Sequence, residues 1–145
     1  MSKDINRILI ADDSEMNRAI LREVLGEEFA VLEAANGEEG LEYLEEHEED
    51  ISLVLLDIIM PVMDGFEVLR VMSEKNFLDN IPVIMISSEE SETYVKKAYE
   101  MGAMDYINRP FDAQVVYRRV FNTIKLYAKQ RRLIALVTDQ IKSEL

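Results

Sequence analysis

Five short apolar segments, separated by helical patterns, constrain the fold of this chain more than any other feature. The segments are RILIA (7–11), FAVLEA (29–34), ISLVLLD (51–57), IPVIMIS (81–87) and AMDYIN (103–108). The first, third and fourth are almost continuous in Ile, Leu and Val, which is typical of strands covered on both faces. Strands that alternate with helices form βαβ units and a parallel sheet. The alternation therefore predicts one α/β domain with a doubly wound, five-stranded parallel sheet.

The segments between the strands carry recognisable helix signals. SEMNRAILREVLG begins with Ser14 as an N-cap and stops at Gly26. NGEEGLEYLEEHEED places Leu41 and Leu44 on one face and acidic residues on the other. DGFEVLRVMSEK repeats apolar residues at helical spacing, and SETYVKKAYEMG ends at Gly102. These patterns predict four helices that cover the two faces of the sheet.

The C-terminal segment from Asp112 to Leu145 contains no Gly and no Pro. One continuous helix there would be about 50 Å long, and only its first half can lie along so small a sheet. A seam with alternating spacings of four and three residues runs along it, with two polar interruptions: Val120, Ile124, Tyr127, Arg131, Ile134, Thr138, Ile141 and Leu145. Such a seam predicts a protruding coiled-coil helix and a homodimer formed around Ile134 and Ile141. The alternative is one terminal helix packed on its own domain.

Composition excludes several classes of function. The chain has no cysteine and a single histidine, His47, which lies in a strongly acidic helical segment. Disulfides, zinc–thiolate sites and Ser-His-Asp chemistry are therefore not expected, and the composition fits a reducing cytoplasm. No apolar run approaches the roughly 20 residues of a membrane span. The net charge of −13 argues against nucleic-acid binding by this segment, although residues 112–145 are basic.

Three carboxylates follow two neighbouring strands of the predicted sheet. Asp12 and Asp13 come directly after the first strand, and Asp57 ends the third. In a sheet of order 2-1-3-4-5 these strands are adjacent, so the three acids should meet in the crevice at the carboxyl edge. Like charges that close repel one another unless a cation joins them, and oxygen ligands alone favour Mg²⁺, with Mn²⁺ as the alternative ion. Helix capping is the other explanation, but it accounts for only one of the acids.

A hydroxyl and a cation flank this acidic cluster. Ser87 ends the fourth strand, and Arg109 follows the fifth. Carboxylates, a hard metal ion, a hydroxyl and a fixed cation together make a phosphoryl site. Asp57 has the central position and is the expected nucleophile that becomes an aspartyl-phosphate. Asp12 and Asp13 would hold the metal, and the backbone carbonyl of Ile59 is a further candidate ligand.

The motifs ILIADDS, LVLLDIIMPVMDGFEVL, PVIMISS and GAMDYINRPF occur together and in order. With them the chain resembles, over about residues 6–125, the CheY-like receiver domain of bacterial two-component response regulators. The resemblance implies a flavodoxin-like fold in which Asp57 takes phosphate from the phosphohistidine of a sensor histidine kinase or phosphotransfer protein. It implies Mg²⁺ at Asp12, Asp13, Asp57 and the Ile59 carbonyl.

The resemblance also implies a switch. Ser87 takes the position of the family's switch hydroxyl and Tyr106 that of its switch aromatic, which turns inward when phosphate draws in the hydroxyl. Pro61 and Gly65 take the positions of the loop after the acceptor, and the peptide bond before Pro110 is expected to be cis. The helix 4, strand 5 and helix 5 face would then change its preference for partners.

One residue departs from the family pattern, because Arg109 stands where the family usually has lysine. Arginine keeps the charge and can bind phosphate through two parallel N–H groups, but it is larger and planar. Two hypotheses follow: a working receiver with altered phosphorylation, or a degenerate receiver that acts as an interaction module without phosphate.

Other functional classes fit the residues less well. A haloacid-dehalogenase-type phosphatase would need a second Asp two residues after the nucleophile, where this chain has Ile59. A flavin site would need a neutral phosphate loop where Asp12 and Asp13 stand. We therefore expect a phosphoacceptor rather than an enzyme, with slow autodephosphorylation for which Glu89 is a candidate to orient water.

The last part of the chain suggests how the domain is connected. Residues 1–125 are expected to form the receiver domain, and residues 126–145 to continue the last helix as a signalling or coiled-coil linker. By resemblance, such a helix leads to a C-terminal output domain outside this sequence.

Overall fold

The computed structural model describes residues 6–89 and 91–144 of the chain. Strands and helices alternate throughout: β1 Asn6–Ala11, α1 Glu15–Leu25, β2 Phe29–Ala34, α2 Gly37–His47, β3 Ile51–Leu56, α3 Gly65–Glu74, β4 Val83–Ser87, α4 Glu92–Glu100, β5 Asp105–Asn108 and α5 Ala113–Glu144. The five strands form one sheet of order β2-β1-β3-β4-β5. All four strand pairs are parallel. The predicted doubly wound, flavodoxin-like fold is confirmed.

The sheet divides the core into two apolar layers. Successive side chains of a strand point to opposite faces, so β1 sends Leu9 to one layer and Ile8 and Ile10 to the other. The first layer packs under α2, α3 and α4, and the second under α1 and α5. Burial on both faces explains why the central strands are almost continuous in branched aliphatic residues.

The helix ends follow the signals in the sequence. The Ser14 hydroxyl accepts a hydrogen bond from the Asn17 N–H at 3.2 Å and caps α1. Gly26 ends that helix with a φ of 69°, a conformation that favours glycine. At α3, Asp64 and Glu67 form a reciprocal capping box. These caps fix where each helix starts relative to the loop that precedes it.

Helix α5 has two parts with different surroundings. Val116, Val120 and Ile124 are buried in the layer shared with α1, whereas residues 129–144 are all exposed. The predicted extended C-terminal helix is confirmed. The predicted seam needs a correction, because Val120 and Ile124 contact the sheet of their own domain and are not available to a second chain.

Residues 129–144 form the α5 extension. It carries the seam positions Arg131, Ile134, Thr138 and Ile141, whereas Tyr127 is half-buried just before it and Leu145 lies outside the described residues. Long as α5 is, no helix within residues 6–89 and 91–144 has the length and apolar character needed to cross a bilayer.

Candidate functional site

Backbone hydrogen bonds extend the sheet by one residue beyond three strand ends. The Asp12 N–H donates to the Ala34 carbonyl at 3.0 Å, and the Asp57 N–H donates to the Ala11 carbonyl at 2.9 Å. The Arg109 N–H donates to the Ser87 carbonyl at 3.0 Å. The backbone of each of these site residues is therefore fixed by the sheet itself, at its carboxyl edge.

The structure brings together the three acids that the sequence singled out. Asp12, Asp13 and Asp57 each offer a carboxylate oxygen, and these oxygens all lie within 4.8 Å of one another. Asp12 is only 1% exposed and Asp57 9%, whereas Asp13 is exposed. Two buried carboxylates and one at the surface thus form an open-sided anionic cluster.

The cluster perturbs its central member. Burial, reinforced by the neighbouring charge of Asp12, raises the pKa of Asp57 from 3.8 to about 6. The Arg109 guanidinium and the hydrogen bond from the Ile58 N–H oppose this rise in the pKa. The ionised form of Asp57 is therefore destabilised in this site unless additional positive charge binds next to it.

Arg109 lies between the two buried acids. Its Nη2 is hydrogen-bonded to Asp12 Oδ2, and its Nη1 lies 3.6 Å from Asp57 Oδ2. The side chain is 16% exposed, and the peptide bond that joins it to Pro110 is cis, as the resemblance implies. One guanidinium against three carboxylates leaves the cluster with excess negative charge.

The donor set fits a hard divalent cation. The candidate ligands are oxygen atoms only, they lie close enough to share one ion, and one side of the cluster is open to solvent. Mg²⁺ keeps several waters and binds through one or two carboxylates, which matches such a site. Ile59, two residues after Asp57, is 56% exposed, and its backbone carbonyl remains a predicted ligand.

The loop between β3 and α3 is tightly bound to the acceptor. The Gly65 N–H donates to the Ile58 carbonyl at 2.8 Å, and a Cβ at Gly65 would lie 2.3 Å from the Asp57 carbonyl oxygen. Val62, next to Pro61, has a φ of 70°, which a β-branched residue rarely adopts. Val62 is the central residue of a tight turn in which the Met63 N–H donates to the Pro61 carbonyl at 2.7 Å. Gly65 holds the end of the loop against Asp57.

The predicted switch residues, Ser87 and Tyr106, lie on β4 and β5. Ser87 is buried, and its Oγ accepts a hydrogen bond from the Glu89 N–H at 3.2 Å. Tyr106 is 7% exposed, and its hydroxyl donates to the Glu89 carbonyl at 2.6 Å. The Tyr106 ring therefore already faces inward in this structure, and it is linked to Ser87 through Glu89.

Sequence reasoning missed Asn108, whose side-chain amide donates to the same Glu89 carbonyl at 3.1 Å. Tyr106 and Asn108 are two residues apart on β5, so they point to the same face of the sheet. That spacing was visible in the sequence, but the carbonyl they share was not. The backbone of Glu89 thus connects Ser87, which accepts its N–H, to Tyr106 and Asn108, which donate to its carbonyl.

Comparison with known proteins shows which sequences and folds this chain is similar to. The family described as response regulator receiver domain matches residues 8–121. The chain is 42% identical over 106 residues to the chemotaxis protein CheY of Halobacterium salinarum, covering 72% of this chain and 85% of that protein. A receiver domain protein (CheY-like) from Methanospirillum hungatei has a similar crystal structure, with a TM-score of 0.78, 26% identity and coverage of 87% of this chain and 98% of that one.

A structure that contains BeF₃ and Mg²⁺ is also similar. It is the CheX–CheY complex of Borrelia burgdorferi with BeF₃ and Mg²⁺, for which the TM-score is 0.74, the identity 36% and the coverage 81% of this chain and 87% of that one. Longer curated relatives match as well. The chain spans only 15% of a sensor histidine kinase and 46% of a transcriptional regulatory protein.

Proposed function

The chain belongs to the family of response regulator receiver domains, and we propose that Asp57 accepts a phosphoryl group from a phosphohistidine when Mg²⁺ is present. Domains of this family are phosphoacceptors rather than enzymes, and they bind Mg²⁺ in an acidic pocket. The observation that carries the proposal is the group of Asp12, Asp13 and Asp57 with their oxygens within 4.8 Å of one another.

The two oxygens of Asp57 are not equivalent. Oδ1 accepts the Ile58 N–H at 2.8 Å, whereas Oδ2 faces Arg109. We assign Oδ2 as the nucleophile: its bond to phosphorus forms as the bond between phosphorus and the imidazole nitrogen of the donor breaks. When bound, Mg²⁺ neutralises negative charge on the transferred group. Asp12, Asp13 and the Ile59 carbonyl are its proposed ligands beside Asp57.

Arg109 and Ser87 would bind the transferred group. Arg109 Nη1 faces Asp57 Oδ2 and can pair with a phosphoryl oxygen attached there. The Ser87 hydroxyl accepts a hydrogen bond from the Glu89 N–H, and a hydroxyl that accepts one bond can also donate its proton, here to the phosphoryl group. Slow hydrolysis of the acyl phosphate follows if water reaches the open side of the cluster.

Glu89 would couple phosphorylation of Asp57 to the partner-binding face. A phosphoryl group that draws Ser87 toward it also pulls on the Glu89 N–H, while Tyr106 and Asn108 bind the carbonyl of that residue. Phosphorylation would bias the segment between β4 and α4, and with it the face formed by α4, β5 and α5.

The proposed partners are a sensor histidine kinase or a phosphotransfer protein, and an output domain that follows residue 145. The division into a receiver of residues 1–125 and a linker of residues 126–145, and a location in the cytoplasm, belong to the same proposal. The exposed apolar residues of the α5 extension support a homodimer: Leu133, Ile134, Leu136, Val137 and Ile141.

A second candidate is an interaction module that works without phosphate. Two observations favour it: Arg109 already binds Asp12, and Tyr106 already faces inward. In that case Arg109 and Tyr106 would keep the same positions with and without phosphate, and phosphorylation would change the partner-binding face little.

BeF₃⁻ with Mg²⁺, a mimic of the phosphoryl group, separates the two candidates. We expect the amide NMR signals of Ile58, Glu89 and Asn108 to shift on addition of both reagents to the wild type. The Asp57→Asn variant should show no such shift. Unchanged spectra of the wild type would reject the phosphoacceptor and favour the interaction module that works without phosphate.

A further inference from the structure

We propose that the Arg109 guanidinium is a built-in counter-ion that competes with the divalent cation for Asp12 and moves from Asp12 to the phosphoryl group once Asp57 is modified. The inference rests on the proposed function, and it concerns the chain's own arginine rather than the family's lysine. The competition of Arg109 with the metal ion makes metal binding weak in the resting protein and strong in the phosphorylated one.

The first argument is the distribution of hydrogen bonds among four oxygens. Asp12 Oδ1 accepts the Ser14 N–H at 2.9 Å, and Asp57 Oδ1 accepts the Ile58 N–H at 2.8 Å. Arg109 reaches the other oxygen of each acid, Oδ2, with Nη2 at Asp12 and Nη1 at Asp57. The guanidinium thus takes the one Asp12 oxygen that the backbone leaves free, which is the oxygen available to a metal ion, and it also forms an ion pair with the nucleophilic oxygen of Asp57.

The second argument is the shape of the cation. A planar guanidinium has two terminal nitrogens that can contact two carboxylates at once, whereas a lysine ammonium is a compact point charge. The backbone of Arg109 is fixed by its hydrogen bond to the Ser87 carbonyl, and its side chain is largely buried beside the cluster. Exchange with a metal ion must therefore break a charge-assisted hydrogen bond to a buried acid.

The third argument concerns the modified state. A phosphoryl group on Asp57 Oδ2 would place several anionic oxygens next to Arg109 Nη1, and arginine binds phosphate through two parallel N–H groups. Turning toward these oxygens releases Asp12 Oδ2 for the metal. Phosphoryl group and metal should therefore increase each other's affinity more in this chain than in its lysine variant.

Mn²⁺ binding, read as the loss of the free-ion signal in electron paramagnetic resonance, tests the proposal without any activity measurement. We expect Arg109→Lys to bind Mn²⁺ about tenfold more tightly than the wild type, a ratio equivalent to about 1.4 kcal/mol. Mg²⁺ should displace the bound Mn²⁺ in both proteins. The matched control is Arg118→Lys, the same exchange at an exposed position of α5, which should leave the affinity unchanged.

The titration is repeated with BeF₃⁻. Its addition should strengthen Mn²⁺ binding more in the wild type than in Arg109→Lys, so that the two affinities converge. Measurable but equal affinities in the two proteins without BeF₃⁻ would overturn the counter-ion role and leave the proposed function intact. Absence of Mn²⁺ binding in every protein would overturn both.

Discussion

At the scale of single residues, Asp57 is a buried carboxyl group, and its neighbours determine how strongly burial disfavours its ionised form. Burial and Asp12 raise the pKa of its carboxyl group, whereas Arg109 and the Ile58 N–H lower it. The proximity of the three acids was predictable, because parallel strands that are adjacent end at the same edge. The pairing of Arg109 with Asp12 was not, because the direction of a long side chain depends on packing that sequence spacing does not contain.

Gly65 gives a residue-scale prediction about the loop that supports Asp57. A Cβ there would lie 2.3 Å from the Asp57 carbonyl oxygen, which is backbone and cannot turn aside. We expect Gly65→Ala to lower the free energy of unfolding by about 1–3 kcal/mol, the usual cost of overpacking. Urea unfolding of the metal-free protein measures it.

Gly40→Ala is the matched control, since the nearest atom to a Cβ at Gly40 is 3.7 Å away. Gly40 lies inside α2, where alanine is a better helix former by roughly 0.5–1 kcal/mol. That variant should be as stable as the wild type or more stable. Equal losses for the two variants would show that the close approach of Gly65 to Asp57 is not what requires glycine.

At the scale of elements, the number, kind and order of the strands followed from the sequence, but some of their bounds did not. β4 begins at Val83 although its apolar segment begins at Ile81, and β5 begins at Asp105 rather than Ala103. Ile81 and Ala103 are buried, so apolar character extends beyond the ladder. Pro82 cannot donate a hydrogen bond, and it only accepts one from the Val54 N–H.

Helix α5 shows a second limit of sequence reasoning. One 4-3 seam ran through the whole helix, yet its first members pack on the domain and its later members are exposed. An apolar helix face that packs on its own domain and one that pairs with a second helix have the same residue spacing. Only the size of the sheet determines where packing on the domain ends. Exposed apolar residues such as Leu133 and Val137 also lie outside the seam and widen the surface.

An element-scale prediction follows for the dimer. We expect sedimentation analysis to find the full chain as a dimer, and the chain truncated after Tyr127 as a monomer. Residues 129–144 are exposed, so the truncated domain should remain folded. An unchanged dimer after truncation would place the interface on the domain instead.

Two single variants refine this test. Ile134→Lys should dissociate the dimer, because it places a charge in the apolar seam. Ala135→Lys adds the same charge one residue later, about 100° around the helix, and should leave the dimer intact. Dissociation by both variants would indicate charge repulsion along the helix rather than loss of an apolar contact.

At the scale of the whole molecule, an acidic domain carries a basic helix. The net charge is −13, while residues 112–145 hold 7 Lys/Arg and 3 Asp/Glu. The fold places much of the acidic charge on α2 and at the carboxyl edge of the sheet, whereas the basic helix packs on the domain with its first half and is exposed over residues 129–144. The acidic cluster and the exposed part of α5 are thus separate regions of the molecule.

The central claim is that Asp57 is a phosphoacceptor that depends on the acidic cluster around it. Intact-mass spectrometry after incubation with acetyl phosphate and Mg²⁺ tests this most directly, followed by borohydride reduction and peptide mapping to locate the modified residue. The account predicts a gain of one phosphoryl group on Asp57, which does not form when Mg²⁺ is chelated before acetyl phosphate is added and is absent from Asp57→Asn. No gain in the wild type, or a gain that persists in Asp57→Asn, would contradict it.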